Sequence, residues 1–241
     1  QRLERTEKLS ISSSFDQAHP IRRALDKLSQ ELSSPEPPAP GQLAEAFSQT
    51  VVGVVVDDRF MVRRVLAVKP EQVVMMVEDM LGGRQLALIV PARLELTAKC
   101  RFVKGYQIAS RMKQLEAMET VYYFTGLGMA ATSGRHMMFA LTELLNGESL
   151  NTKFARIERQ EIPRLSMVEI AEIADALLLS LEDLHREDVF HLSLDPSKVL
   201  VLAGLSRTPL KILDMSNAQT TVQREQMSAK QFRNLGLSGG S

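Results

Sequence analysis

Between residues 51 and 90 the chain runs through four short apolar stretches rich in β-branched residues: Val51 to Val56, Phe60 to Val68, Val73 to Val77 and Gln85 to Val90. Side chains branched at Cβ fit a pleated surface better than a helix, so each stretch is expected to be a strand. Gly82-Gly83 lies between the last two and supplies the backbone freedom of a hairpin turn, which makes antiparallel pairing the natural arrangement. Helical spacing returns over Lys104 to Thr120 through Ile108, Met112 and Leu115, and His136 to Leu144 reads as a further strand feeding a turn at Asn146-Gly147. The N-terminal half is therefore expected to be an antiparallel sheet crossed by a helix.

Two segments flank that sheet. Before it, Ile21, Leu25, Leu28 and Leu32 share one helical stripe that opens at Pro20, and the proline-rich run Ser33 to Gly41 cannot continue the helix, so it reads as a linker. The helix is expected to be a packing element. After the sheet, Ile170, Ala174, Leu177, Leu181 and Leu184 define a helix over Met167 to Arg186, broadened by Ala171, Ile173 and Leu178; so wide an apolar face predicts a largely buried helix. Val199 to Leu202 and Leu210 to Leu213 then read as a small hairpin around Ala203-Gly204 and Arg207-Thr208-Pro209. Residues 1–49 therefore read as an N-terminal helical extension and linker.

Composition narrows the function classes. Twenty-nine basic residues balance twenty-nine acidic ones, so no overall field draws the chain to a polyanion. Arg22-Arg23 and Arg63-Arg64 are too short, and lack the interleaved aromatic residues, for a nucleic-acid surface. The one cysteine, Cys100, forms no disulfide within the chain and is expected to be a small buried residue. His19, His136, His185 and His191 have no zinc spacing, Glu182-Asp183 reads as helix surface, and Met75-Met76 and Met137-Met138 read as core filling. No run reaches the ~18 apolar residues of a membrane-spanning helix, and Gln1 to Ser10 lacks a signal-peptide core; an address upstream of Gln1 stays open.

The segment LEDLHREDVFHLSLDPSKVLVL, residues 181–202, followed by LKILDMS, residues 210–216, resembles the loop region of the protein kinase family, in which H-R-D-L-x-x-x-N lies between a helix and a strand and is followed by D-F-G. His191, Leu194, Pro196, Val199 and Leu200 match the positions that shape the loop, and Leu184-His185 fits the preceding helix end. The resemblance covers about residues 50–219. It implies an α+β, bilobal, kinase-like fold with an antiparallel sheet lobe over 50–145 and a partial helical lobe over 146–241. The family's later helical core is not seen after Asp214, so that lobe is expected to be truncated or incomplete, with the apolar face of the 167–186 helix exposed.

The chemistry of the family is absent from the matching positions. Ser193 stands at the catalytic aspartate, Asp195 at the phosphate-facing lysine of the loop, and Lys198 at the metal-binding asparagine, where an ammonium group has no lone pair to offer a metal. Val90, in Ala87-Leu88-Ile89-Val90, stands at the strand lysine of V-A-I-K. The turn between the first two long strands carries Pro70 and no glycine, unlike a phosphate-covering loop. Asp214 is retained, and Glu116 or Glu119 is a candidate for the helix glutamate. Lys198 and Asp214 are expected to pair, the ammonium substituting for the cation, with two separately solvated charges as the alternative.

A pseudokinase is implied, with no cofactor and no metal, acting as a scaffold or allosteric regulator through a protein partner such as a kinase or an assembly subunit. An atypical nucleotide-dependent transferase built on Asp214, and a non-kinase structural subunit of a large assembly, are the alternatives. The N-terminal extension also resembles that of secreted rhoptry pseudokinases of apicomplexan parasites, which implies secretion to the rhoptry or parasitophorous vacuole; otherwise the cytoplasm is expected.

Overall fold

Ile21, Leu25 and Leu28, on one stripe of helix α1 (Pro20–Leu32), are all buried, and they bury against a sheet. The structure, a computed structural model, describes residues 20–35, 38–93, 95–124, 138–203 and 210–223. His19, His136, Met137, the 204–209 part of the hairpin loop and the 224–241 tail lie outside the described residues.

The sheet is antiparallel throughout, formed by β1 (Val55–Val56), β2 (Phe60–Val68), β3 (Gln72–Asp79), β4 (Gln85–Pro91), β5 (Val121–Phe124) and β6 (Ala140–Glu143) in the order β1-β2-β3-β4-β6-β5. Gly83, at φ 65°, turns β3 into β4 as expected. β3 alternates: Val73, Met75 and Val77 are fully buried and face α1 and α2 (Pro40–Val51). β4 is covered on both sides. Leu86, Leu88 and Val90 join the α1/α2 cluster, while Ile89 joins a second cluster with Phe102, Val103 and Ile212, as the period-two alternation of a strand requires.

Several expectations need correction. Val51 closes helix α2 and does not open a strand, because Leu43, Phe47 and Val51 recur every four residues and dock together on the sheet. The linker accordingly ends at Ala39, with Pro40 in the first helical turn, where its missing N–H costs nothing. Helix α3 runs over Leu96–Arg111, eight residues earlier than its sequence spacing indicated, and the chain leaves the helix before Leu115. Strand β5 and helix α4 (Leu150–Glu158) were not anticipated; Ser149 caps α4 by accepting from Thr152 N.

Beyond β6, β7 (Gly147–Ser149), β9 (Val199–Leu202) and β10 (Leu210–Ile212) make a small antiparallel sheet, and β8 (Val189–Phe190) pairs with β11 (Gln219–Thr220). Glu143 ties the two regions together. Its Oε1 accepts from Thr120 N at 2.7 Å and from Lys211 Nζ at 2.9 Å, and the same Nζ donates to Met118 O at 2.8 Å.

Helix α5 (Met167–Arg186) begins with a capping box between Ser166 and Glu169. It is not the buried helix its pattern predicts: Leu184 and Ser180 are buried, whereas Met167 is 79% and Leu178 66% exposed. Ile173, Leu177 and Leu181 pack partly buried against the second cluster, and among the described residues nothing covers Met167, Ile170 or Leu178. The chain is thus mixed α+β, with its antiparallel sheet between a helical pair on one face and α3 with the C-terminal elements on the other.

Candidate functional site: a cavity beneath helix α3

A cavity of about 490 Å³ opens between α3 and the two loop segments 193–198 and 214–217. Gly105 lets α3 approach the lower wall. A Cβ there would lie 2.9 Å from Ser216 N and 3.1 Å from Met215 C, so only glycine fits without displacing backbone, which explains a residue otherwise unfavourable inside a helix.

The floor is built around Lys198. Asp195 Oδ1 accepts from Ser197 N at 2.8 Å and caps the 3₁₀ turn Pro196–Lys198, which aims the lysine back at the preceding residues. Lys198 Nζ donates to Ser193 O at 2.8 Å and Ser193 Oγ at 2.6 Å, and lies 3.5 Å from Asp195 Oδ2 and 3.4 Å from Asp214 Oδ2. Lys198 and Asp214 are both mostly buried, so the expected pair forms in a region where water screens it weakly. Ser193 with a lysine invites comparison with a Ser–Lys nucleophile, but here the amine donates to both serine oxygens between two carboxylates, so it braces the loop.

Backbone geometry supports the same floor. Asp214 adopts a left-handed conformation at φ 61° and its Oδ1 accepts from Ser216 N at 3.2 Å, while Leu192 is left-handed at φ 58°. Such conformations cost a non-glycine residue about 1 kcal/mol each and persist where surrounding bonds fix them. His191 is one of those bonds: its buried ring donates from Nε2 to Leu213 O at 3.1 Å. Burial lowers its pKa, which favours the neutral ring, and Nδ1 has no partner among the described residues.

Glu119 forms the inner wall. Burial, reinforced by the charges of Asp214 and Glu143, raises its carboxyl to about 7, against the opposing hydrogen bond from Thr142 and the charge of Lys69. Tyr106, on α3, is pushed up by burial and then by Glu119 and Asp214. Among the described residues no three His, Cys, Asp or Glu side chains come together as a metal-ligand set.

Of the positions singled out in the sequence, Ser193, Asp195, Lys198 and Asp214 meet at this floor. Val90 does not: its side chain lies on the α1/α2 face, and the β4 residue turned toward the α3 side is Ile89, also apolar. Neither Glu116 nor Glu119 belongs to α3, whose wall carries Arg101 instead. Cys100 is exposed, because it falls on the solvent side of α3. Gly105 and Tyr106 went unrecognised; the readable signal was a glycine inside a helical pattern, which marks a close approach.

No protein-family model matches the chain, and no curated protein is significantly similar to it.

Proposed function

We propose that this chain is a kinase-like pseudokinase that performs no phosphoryl transfer and acts by binding a protein partner, as scaffold or allosteric regulator. The observation that carries the reading is Lys198. In the kinase framework the D-F-G aspartate and the loop asparagine hold magnesium; here the corresponding Asp214 faces an ammonium group at 3.4 Å that is also bonded to Ser193. An internal cation in that place neutralises Asp214 and competes with a metal, and Ser193 gives the loop no carboxylate base.

Support also comes from the three-stranded meander β2-β3-β4 followed by α3, the order in which the family's strand lysine and helix glutamate occur, with apolar Ile89 and Val90 and basic Arg101 in their stead. The two N-terminal helices laid on the sheet support the narrower comparison with secreted rhoptry pseudokinases. The competing reading is a transferase that uses Asp214, favoured by a cavity within the usual 300–1,000 Å³ range, roughly, of small-ligand sites.

Calorimetric titration with ATP and ADP, with and without Mg²⁺, separates the two. The pseudokinase reading expects no metal-dependent binding. Micromolar binding that requires Mg²⁺ would overturn it in favour of the transferase.

A further inference from the structure

Helix α3 carries Lys99, Arg101, Lys104 and Arg111 and no acidic residue. Helices α1 and α5 mix their charges and pair them, Arg22 with Asp26 and Lys27 with Glu31 on the first, Arg186 with Glu182 and Asp183 on the second. Among the described residues none of the four basic side chains of α3 takes part in an ion pair.

Their placement is ordered. Lys104 and Arg111, with Cys100 and Gln107, follow one another at spacings of four, three and four and form one stripe; Arg101 lies between this stripe and the cavity it lines, and Lys99 lies off it. Arg101, Gln107 and Arg111 are exposed and Lys104 is half-buried, while Phe102, Val103, Tyr106 and Ala109 face the core. Lys99 and Arg101 sit toward the positive end of the helix dipole, where cations do not help the helix. Arg111, in the last turn, complements the negative end of the dipole, but neither local pairing nor the dipole accounts for Lys99, Arg101 and Lys104, and in a chain of zero net charge the run is a local feature.

We propose that the exposed face of α3 docks an acidic segment of a partner protein, whose carboxylates meet Arg101, Lys104 and Arg111. This deepens the reading of the chain as a protein-binding module and rests on it. The stripe spans about 16 Å, enough for a short peptide, and offers no aromatic ring on which a nucleic-acid base would stack.

The test is fluorescence anisotropy at low salt with a short fluorescein-labelled peptide of Glu and Asp, on the full chain and two charge-reversal variants with unchanged melting temperatures. The expected result is that Arg101→Glu with Arg111→Glu weakens binding at least about tenfold, while Arg22→Glu with Lys27→Glu on α1 leaves it unchanged. If the α3 double variant does not fold, Arg111→Gln alone is expected to weaken binding measurably. Absence of binding to the unaltered chain, equal loss in both double variants, no loss in the α3 variants, or tighter binding of a single-stranded oligonucleotide of equal charge would each overturn the docking site. Because nucleotide binding is read separately, loss of this site with no ATP bound leaves the pseudokinase reading standing.

Discussion

Lys198 and Asp214 stand or fall together. Replacing Lys198 by Ala leaves Asp214 mostly buried without its counter-charge and removes both hydrogen bonds from Nζ to Ser193, so a loss of about 1–3 kcal/mol is expected in urea unfolding. An unchanged midpoint in that experiment would mean that the pair carries no structural weight. Glu119 acts in the opposite sense. Its native carboxyl holds a proton up to about 7 whereas the unfolded chain releases it near 4.5, so the folded state binds more protons across that window and stability falls as pH rises through it, then levels off. The difference is worth about 3 kcal/mol. Glu119→Gln is expected to flatten the stability profile between those limits, and a profile with the same slope in the variant would refute the assignment. At the acidic end Asp79, held down to about 2 first by its hydrogen bond from Arg59, contributes stability that is lost as pH falls from about 3.8 through 2.

Among elements, α3 shows how a local rule yields to packing. Gly41, in the first turn of α2, has open space around its missing Cβ, whereas Gly105 abuts the Met215–Ser216 backbone. Gly41→Ala is therefore expected to raise the melting temperature slightly, by up to about 1 kcal/mol of stability, and Gly105→Ala to lower it despite the better helix propensity. Equal gains at both sites would show that α3 does not rest on the turn. The same contrast explains what the sequence revealed. The β2-β3-β4 meander and the β9-β10 hairpin were legible because alternation and turn residues act over a few positions. Strand β5 was not, since its four residues carry too little pattern and their pairing with β6 is set by tertiary contact. Helix α2 was obscured by the prolines that precede it, and the front half of α3 by the polar residues Thr97, Lys99 and Arg101. At the site, the Lys198–Asp214 pair was legible because a resemblance to a known loop motif suggested that the two positions approach each other. The side to which Val90 turns was not, because a one-residue difference in strand register exchanges the faces.

For the molecule as a whole, the balance of covered and uncovered apolar surface sets solution behaviour. Helices α1 and α2 bury Ile21, Leu25, Leu28, Leu43, Phe47 and Val51 on the sheet, each worth about 1.5–3 kcal/mol before entropy is counted. Deleting residues 1–51 is expected to leave Val62, Met75, Leu88 and Val90 open to water and to move the protein into the insoluble fraction; a soluble, cooperatively unfolding deletion would contradict this. Helix α5 presents the converse case. Leu178→Glu should leave the melting temperature within about 0.5 kcal/mol of stability, because that side chain is already 66% exposed, while reducing binding of an apolar dye.

Strand β4 meets its two neighbours at different times. β3 precedes it across a tight turn, but Leu86 to Ile89 must wait for Ala140 to Glu143 before their other edge is paired. On the ribosome this strand, buried from Leu86 to Pro91, therefore emerges with one row of amides unmet until α3, β5 and the stretch beyond them have been synthesised. That interval, set by topology alone, is when a chaperone or a sister chain has access to it.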